Sequence, residues 1–349
     1  MVRAKSEVTV VMPVFGDAPF LRVAVESVLK QDLTDWTLKL VLDRPSHSTI
    51  KECRNFSLRD SRIHYLRSER PGIGAALNLG IAESATKFVA RLDSDDFMAP
   101  HRLSEQLREM KGQETLVVLG SQSIYVNQGG TKMGVSSLPR SEAAIRYCLT
   151  KFNVISHPTV MMLKSALIEV GGYDEKFDGV EDYFLWLKLS QEGVLRNSSS
   201  FLTYYRRHPN QATWKSKETL KLLCCVARLE HFDLDTGLNP EKWIEYASNN
   251  DGHLLSRLVV RSERSASQAL RRELGFARLL GSVKTSTAGS RILLVCKLVV
   301  LMPEKLLKSA GIMSKARWQS TLCGGVKVWR RFKVAHESAE GWVSIGKIH

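Results

Sequence analysis

The 349-residue chain lacks the marks of several protein classes. No run reaches the ~18 consecutive apolar residues of a membrane span, and the longest candidate, residues 292–302, is interrupted by Lys297. The opening Met1-Val2-Arg3-Ala4-Lys5-Ser6-Glu7 has no apolar signal-peptide core and runs straight into a strand pattern. The six cysteines, Cys53, Cys148, Cys224, Cys225, Cys296 and Cys323, form no CxxC pair and no Cys/His cluster of zinc spacing. A disulfide scaffold and a zinc module are therefore excluded, and a reducing, cytoplasmic compartment is expected. Internal repeats and low-complexity tracts are absent, which excludes a solenoid.

The composition is that of a folded globular protein, with 44% hydrophobic and 25% charged residues. Lys plus Arg number 50 and Asp plus Glu 36, a net charge of +14. The excess is concentrated: residues 281–349 hold 12 basic and 3 acidic side chains, +9 of that total. Trp318, Trp329, Phe332 and Trp342 are interleaved with those cations. Basic and aromatic residues together suit an anionic membrane surface. A helical subdomain with a solvated basic face is the alternative. No RRM, zinc-finger or basic-zipper pattern is present, so nucleic acid is not the expected partner.

Over the first two hundred residues, strands alternate with helices. Strand patterns occupy residues 8–14, 37–42, 63–66 and 87–92, and helical ones residues 20–30, 75–84 and 100–110. Such alternation implies an α/β fold with a mostly parallel sheet. Beyond it, residues 116–126 read as one or two strands, 159–163 and 201–206 as strands, and 142–150, 164–170 and 180–191 as helices. From about residue 219 the pattern is helical to the end.

Ligands of such sheets bind beyond the carboxyl ends of the strands. Asp43 and Asp93 both stand there. Asp93-Ser94-Asp95-Asp96 packs three carboxylates into four residues. Their mutual repulsion is relieved by a hard divalent cation, Mg²⁺ or Mn²⁺, that can bridge carboxylate to phosphate; a polar turn with Asp96 as helix N-cap is the alternative. Asp43 suits either a strand-end turn or an acceptor for a base or ribose. Glu181-Asp182 opens an apolar helix, as a dipole cap or as a general base. Arg206 and His208, in Tyr204-Tyr205-Arg206-Arg207-His208, suit phosphate contacts.

In order and spacing, these segments resemble glycosyltransferase family 2, inverting enzymes of GT-A fold. Val8-Thr9-Val10-Val11-Met12-Pro13-Val14-Phe15 is similar to the family's opening strand, and Leu40-Val41-Leu42-Asp43 to the strand with the base-binding Asp. Gly74-Ala75-Ala76-Leu77-Asn78-Leu79-Gly80 resembles the segment under the nucleotide. Ala90-Arg91-Leu92-Asp93-Ser94-Asp95-Asp96 resembles the DxD strand, and Glu181-Asp182-Tyr183-Phe184-Leu185-Trp186 the acceptor-side segment. Tyr205-Arg206-Arg207-His208 resembles the closing basic motif. The likeness covers about residues 6–212. It departs at Leu42-Asp43-Arg44-Pro45-Ser46, where the family has Asp-Asp-Gly-Ser or similar.

The resemblance implies a metal-dependent enzyme moving one sugar from a nucleotide-sugar, a UDP-sugar by expectation. The acceptor would be a glycan or lipid-linked hydroxyl in cell-surface polysaccharide or lipopolysaccharide synthesis. It implies a GT-A catalytic domain over residues 1–215, with a nucleotide-sugar half to about 112 and an acceptor half from 113. Residues 216–349 would form a mostly helical, basic extension, peripheral on the cytoplasmic face of the inner membrane. Donor contacts fall to Pro13, Val14, Asp43, Asn78, Asp93, Ser94, Asp95, Arg206 and His208. Mn²⁺ or Mg²⁺ falls to Asp95, Asp93 and His208, and the catalytic base to Asp182. Glu181 and Trp186 line the acceptor side. A nucleotidyltransferase is the alternative enzyme, but its Gly-rich basic loop is missing at Pro13-Val14-Phe15-Gly16-Asp17.

Overall fold

The structure is a computed structural model that describes residues 6–209, 211 and 217–231. The chain divides into two compact units, residues 1–268 and 269–349. The second unit, the basic and aromatic tail with Cys296 and Cys323, lies outside the described residues. No helix among the described residues is long and apolar enough to cross a membrane.

The chain opens with β1 (Val8–Phe15), α1 (Leu21–Leu29), β2 (Trp36–Asp43), α2 (His47–Arg59), β3 (Ile63–Arg67), α3 (Ile73–Ala82) and β4 (Phe88–Arg91). Strands β1 and β4 are apolar but for Thr9 and Arg91 and, short of Phe15 at the end of β1, largely buried on both faces, as strands covered by helices on each side must be. They run parallel in the order β3-β2-β1-β4. The register sets Phe15 beside Asp43, so the carboxyl ends of β1 and β2 finish level. Helix α3 starts two residues earlier than the sequence pattern, at Ile73, because Gly72 turns the chain with φ 106°. The α3 backbone lies close on the sheet at Gly80, where a Cβ would stand 2.4 Å from Val11 Cγ1.

Next come β5 (Phe97–Met98), α4 (Arg102–Lys111), β6 (Leu116–Val126), β7 (Lys132–Val135), α5 (Glu142–Leu149), β8 (Met161–Leu163), α6 (Lys164–Glu169), α7 (Glu181–Glu192) and β9 (Val194–Arg206). These strands extend the same sheet in the order β4-β8-β6-β9-β5, and β7 pairs with β6. Pairings β4–β8, β6–β8, β6–β7 and β5–β9 are antiparallel, while β6–β9 is parallel. The parallel character read from sequence therefore belongs chiefly to the first half.

Differences from the sequence pattern lie mostly in polar or very short strands. Residues 194–200 carry Asn197 and a serine run, with no apolar alternation, yet form the first half of β9. Buried Asn197 makes this possible by donating to Pro139 O at 2.7 Å and Val154 O at 3.0 Å. Residues 157–159, read partly as strand, form a 3₁₀ turn led by His157-Pro158.

Two apolar cores flank the sheet. One collects α1, α2 and α4 against it, the other α3, α5 and α7. Between α4 and the strands lies Arg102, fully buried. Its five N–H donors reach Gln106 Oε1, Pro158 O, Thr203 Oγ1, Arg91 O and Val160 O, at 2.7–3.2 Å. A guanidinium has five donors, so the buried charge is fully hydrogen-bonded. Burial, with Arg91 repelling it, lowers its pKa to about 9.

Helix α8 (Lys217–His231) packs on α7 within the first unit. Arg228 there donates to Lys151 O at 2.8 Å and Tyr183 Oη at 3.2 Å. The expected boundary at residue 215 precedes this helix.

Candidate active site

The strand rule places a site where β1, β2 and β4 end, at the point where chain order reverses between β1 and β4. Residues 93–96 leave β4 there as a turn. One oxygen each from Asp93, Asp95 and Asp96 lie within 4.8 Å of one another. Asp96 is buried; its Oδ1 accepts the Arg206 N–H at 2.7 Å, and its Oδ2 has no hydrogen-bond partner. An orphaned buried carboxylate oxygen is costly unless a cation or proton attends it. Burial, then the charges of Asp95 and Asp93, push the Asp96 carboxyl well above the usual carboxylate range. Burial raises Asp93 to about 6, against the attraction of Arg91. The donor set and this misfit suit a hard divalent cation. Asp96 thus belongs to the cluster; His101, not Asp96, occupies the N-cap of α4.

The partners of the turn come from far along the chain. His208 Nε2 lies 2.9 Å from Asp95 Oδ2. Arg206 donates from Nε to Asp95 O at 2.8 Å and from Nη1 to Gln128 O at 2.7 Å. Its guanidinium lies 4.4 Å from the Phe20 ring centroid. These bonds make Arg206 a brace of the turn in this structure. Ser94 sits half-buried at its crest.

Arg91, buried on β4, pairs with Asp93 two residues on. Strand alternation puts i and i+2 on one face, so this pair was discoverable in Arg91-Leu92-Asp93. Its charge also reaches the start of α7, opposing the raised pKa of Glu181 and Asp182.

Glu181-Asp182 opens α7, and its field reaches the turn, since the charge of Asp182 adds to the rise at Asp93. Asp182 Oδ2 accepts from Asn153 Nδ2 at 2.7 Å, and Oδ1 from the Tyr183 N–H at 2.6 Å. Burial raises the Asp182 carboxyl, and those two donors oppose it. Glu181 Oε2 accepts the Gly179 N–H at 2.7 Å, and Oε1 lies 3.8 Å from His157 Nδ1. Burial, then the charge of Asp182, raises Glu181 to about 7. His157 meets the Tyr173 hydroxyl at 2.8 Å, and burial keeps it neutral by lowering its pKa well below the ordinary value. No local sequence signal pointed to Asn153, which stands 29 residues from its partner.

Several expected contacts have different surroundings. Trp186, read as acceptor-side, is fully buried and lies edge-on to His157 at 5.9 Å, so it has no surface for an acceptor. Asn78, read as a donor contact, spends its amide on the Tyr173 backbone, accepting its N–H at 2.9 Å and donating to its carbonyl at 2.8 Å. The amide thereby ties α3 to the segment before α7. Val14 is buried in β1 and Pro13 partly so. Asp43 is buried at the end of β2, accepting from the Gly72 N–H at 3.0 Å and from the Arg44 guanidinium at 3.0 and 3.2 Å.

Residues 9–171 match the family described as Glycosyl transferase family 2. The chain is 28% identical over 218 residues to an uncharacterized glycosyltransferase of Methanocaldococcus jannaschii, covering 61% of this chain and 74% of that one. It is 29% identical over 213 residues to the O-antigen biosynthesis glycosyltransferase WbnJ of Escherichia coli, covering 60% and 82%. Among solved structures, S. aureus TarS 1–349 in complex with UDP-GlcNAc superposes with a TM-score of 0.52 at 16% identity, covering 86% of this chain and 82% of that one. That likeness carries the fold, which is the GT-A architecture of parallel strands, flanking helices and a mixed second half.

Proposed function

We propose, for a chain whose residues 9–171 belong to glycosyl transferase family 2, that it transfers a single sugar from a nucleotide-sugar to an acceptor hydroxyl with inversion. The observation that carries this reading is the proximity of the acidic turn 93–96 to Glu181-Asp182, close enough for the charge of Asp182 to act on Asp93, with each held by partners distant in sequence.

The donor half works by position. Asp93, Asp95 and Asp96 would hold a divalent cation, Mn²⁺ or Mg²⁺, with His208 orienting Asp95. A cation bound there supplies Lewis-acid stabilisation to the departing diphosphate. Asp43 and the ends of β1 and β2 take the nucleoside. The TarS complex with UDP-GlcNAc supports a nucleoside diphosphate sugar as donor by analogy of fold.

The acceptor half works on a proton. Asp182 takes it from the acceptor hydroxyl, and that oxygen attacks the anomeric carbon as its bond to the diphosphate breaks. The nucleoside diphosphate leaves with the bonding electrons. A single displacement inverts the centre. Asn153 holds Asp182 and keeps its carboxylate available. Glu181 shares the buried neighbourhood with His157 and Arg91 and tunes the base.

WbnJ is an O-antigen biosynthesis enzyme, and a relative in Erwinia amylovora, 29% identical over 174 residues, is named for amylovoran biosynthesis. They support a cell-surface glycan or its lipid-linked precursor as acceptor. Peripheral membrane attachment through residues 281–349 accompanies this reading and rests on the tail's composition. The test measures nucleoside diphosphate release from UDP-, GDP- and dTDP-sugars with Mn²⁺ and membrane-derived acceptor lipids. Acceptor-dependent release from one donor, abolished in Asp182→Asn with donor binding retained, is expected. Near wild-type turnover by that variant would remove the base assignment, and release from no donor would sink the enzyme reading.

A further inference from the structure

Among the described residues, Arg44 is the non-glycine residue with a positive φ, +45°. Long side chains rarely occupy the left-handed region, and strain of this kind persists where its surroundings hold it. Two contacts hold it here. Arg44 Nε and Nη2 donate to the two oxygens of Asp43 at 3.0 and 3.2 Å, and Cζ lies 4.9 Å from the centroid of the Phe15 ring. The pair stands at the carboxyl ends of β1 and β2, where the register sets Phe15 beside Asp43. Yet the Arg44 side chain remains 63% exposed and Phe15 62% exposed. The strained backbone therefore presents an open guanidinium and aromatic plane over a buried carboxylate.

The hydrogen-bonding capacity that remains has a definite pattern. A carboxylate has about four acceptor sites, and Asp43 uses three, on Arg44 twice and on the Gly72 N–H. A guanidinium has five donors, and Arg44 commits two to Asp43. One acceptor thus stands beside several donors, next to a surface on which a planar ring can stack. An N–H adjacent to a carbonyl matches that pattern. Uracil, thymine and guanine present this edge. Cytosine and adenine present a bare ring nitrogen beside an amino group, which reverses the order.

We infer that Arg44, backed by Phe15 and paired with Asp43, is the base-reading residue of the donor site and selects nucleotides whose base carries a ring N–H beside a carbonyl. This rests on the donor-site reading above and adds to it a residue and a class of base. The backbone explains why the residue can be exchanged cleanly. Glycine adopts φ +45° without strain, so Arg44→Gly removes the side chain while relaxing the turn. Lysine keeps the charge but has neither the fork nor the plane.

The test is calorimetric titration of the full chain with UDP, GDP, dTDP, CDP and ADP in Mn²⁺, on the wild type, Arg44→Gly and Arg44→Lys, with melting temperatures recorded for each. For the wild type, at least one of UDP, GDP and dTDP should bind about tenfold or more tighter than CDP and ADP, the discrimination a good paired base contact supplies. Both variants should bring that ratio to within about threefold, a loss of most of the same contact, and Arg44→Gly should melt no lower than the wild type. Equal wild-type affinity for CDP, or a preference unchanged in Arg44→Gly, overturns the inference and leaves the donor site standing. Binding of none of the five overturns the donor-site reading and this inference together.

Discussion

Nε2 of His208 lies 2.9 Å from Oδ2 of Asp95, although 113 residues separate them in the chain. The contact joins the segment after β9 to the acidic turn after β4. A group that orients a metal-holding carboxylate is worth about 10- to 100-fold in metal affinity. His208→Ala should therefore weaken Mn²⁺-dependent nucleotide binding by about tenfold or more. Calorimetry with Mn²⁺ and with chelator separates the causes, because an equal loss in chelator would place His208 on the nucleotide and not on the carboxylate.

Asn153 donates to Asp182 at 2.7 Å, and that bond holds down a carboxyl that burial raises. A base works only when deprotonated, so activity fails as pH falls through its pKa. Without the donor the pKa rises further. Asn153→Ala should move the acid limb of the kcat profile upward by roughly one unit, the scale of a hydrogen bond to a charged group. A lower plateau with an unmoved limb would assign Asn153 to packing.

Glu181, at about 7, lies above its ordinary 4.5 because burial and Asp182 disfavour its charge. Between those values the folded chain holds a proton that the unfolded chain has released. Stability contributed by the neutral form is thus fully present below about 4.5 and lost as pH rises through about 7. Glu181→Gln should match the wild type near pH 5 and exceed it at pH 8 by about 1–3 kcal/mol. Thermal melts at the two pH values test this, and an equal difference at both would mean the effect is not ionisation.

Gly80 faces the sheet, where a Cβ would stand 2.4 Å from Val11 Cγ1 and 3.1 Å from Val41 Cγ2. Alanine gains about 1 kcal/mol of helix propensity, while overpacking a close helix–sheet contact costs about 1–3 kcal/mol. The branched, strand-borne Val11 cannot swing aside, so packing prevails. Gly80→Ala should lower the melting temperature by a few degrees; an unchanged or higher value would show that α3 can shift outward.

Much of the site's location was legible because it follows from local rules. Apolar runs ending in Asp43 and Asp93 placed two carboxylates at strand ends, and strand β4 does finish at the turn. Arg91 was legible in principle from its i, i+2 relation to Asp93. Asn153, Phe20 and Arg102 were not, since each acts through contacts with elements distant in the chain. Trp186 and Asn78 show the converse. Their motifs suggested ligand contacts, but one fills the core and the other binds the Tyr173 backbone.

By itself, the sequence determined the alternation of strands and helices, the buried character of the first strands and the positions of the acidic groups at their ends. Those features depend on periodicity and on residues adjacent in the chain. Only the tertiary structure decided which carboxylates share a cluster, that Asp96 joins it, and that Asn153 and His208 attend the two halves. Burial and distance set those relationships, and both are properties of the packed chain: an isolated Asp96 in a turn would be solvated, whereas against β9 one of its oxygens is buried without a protein donor.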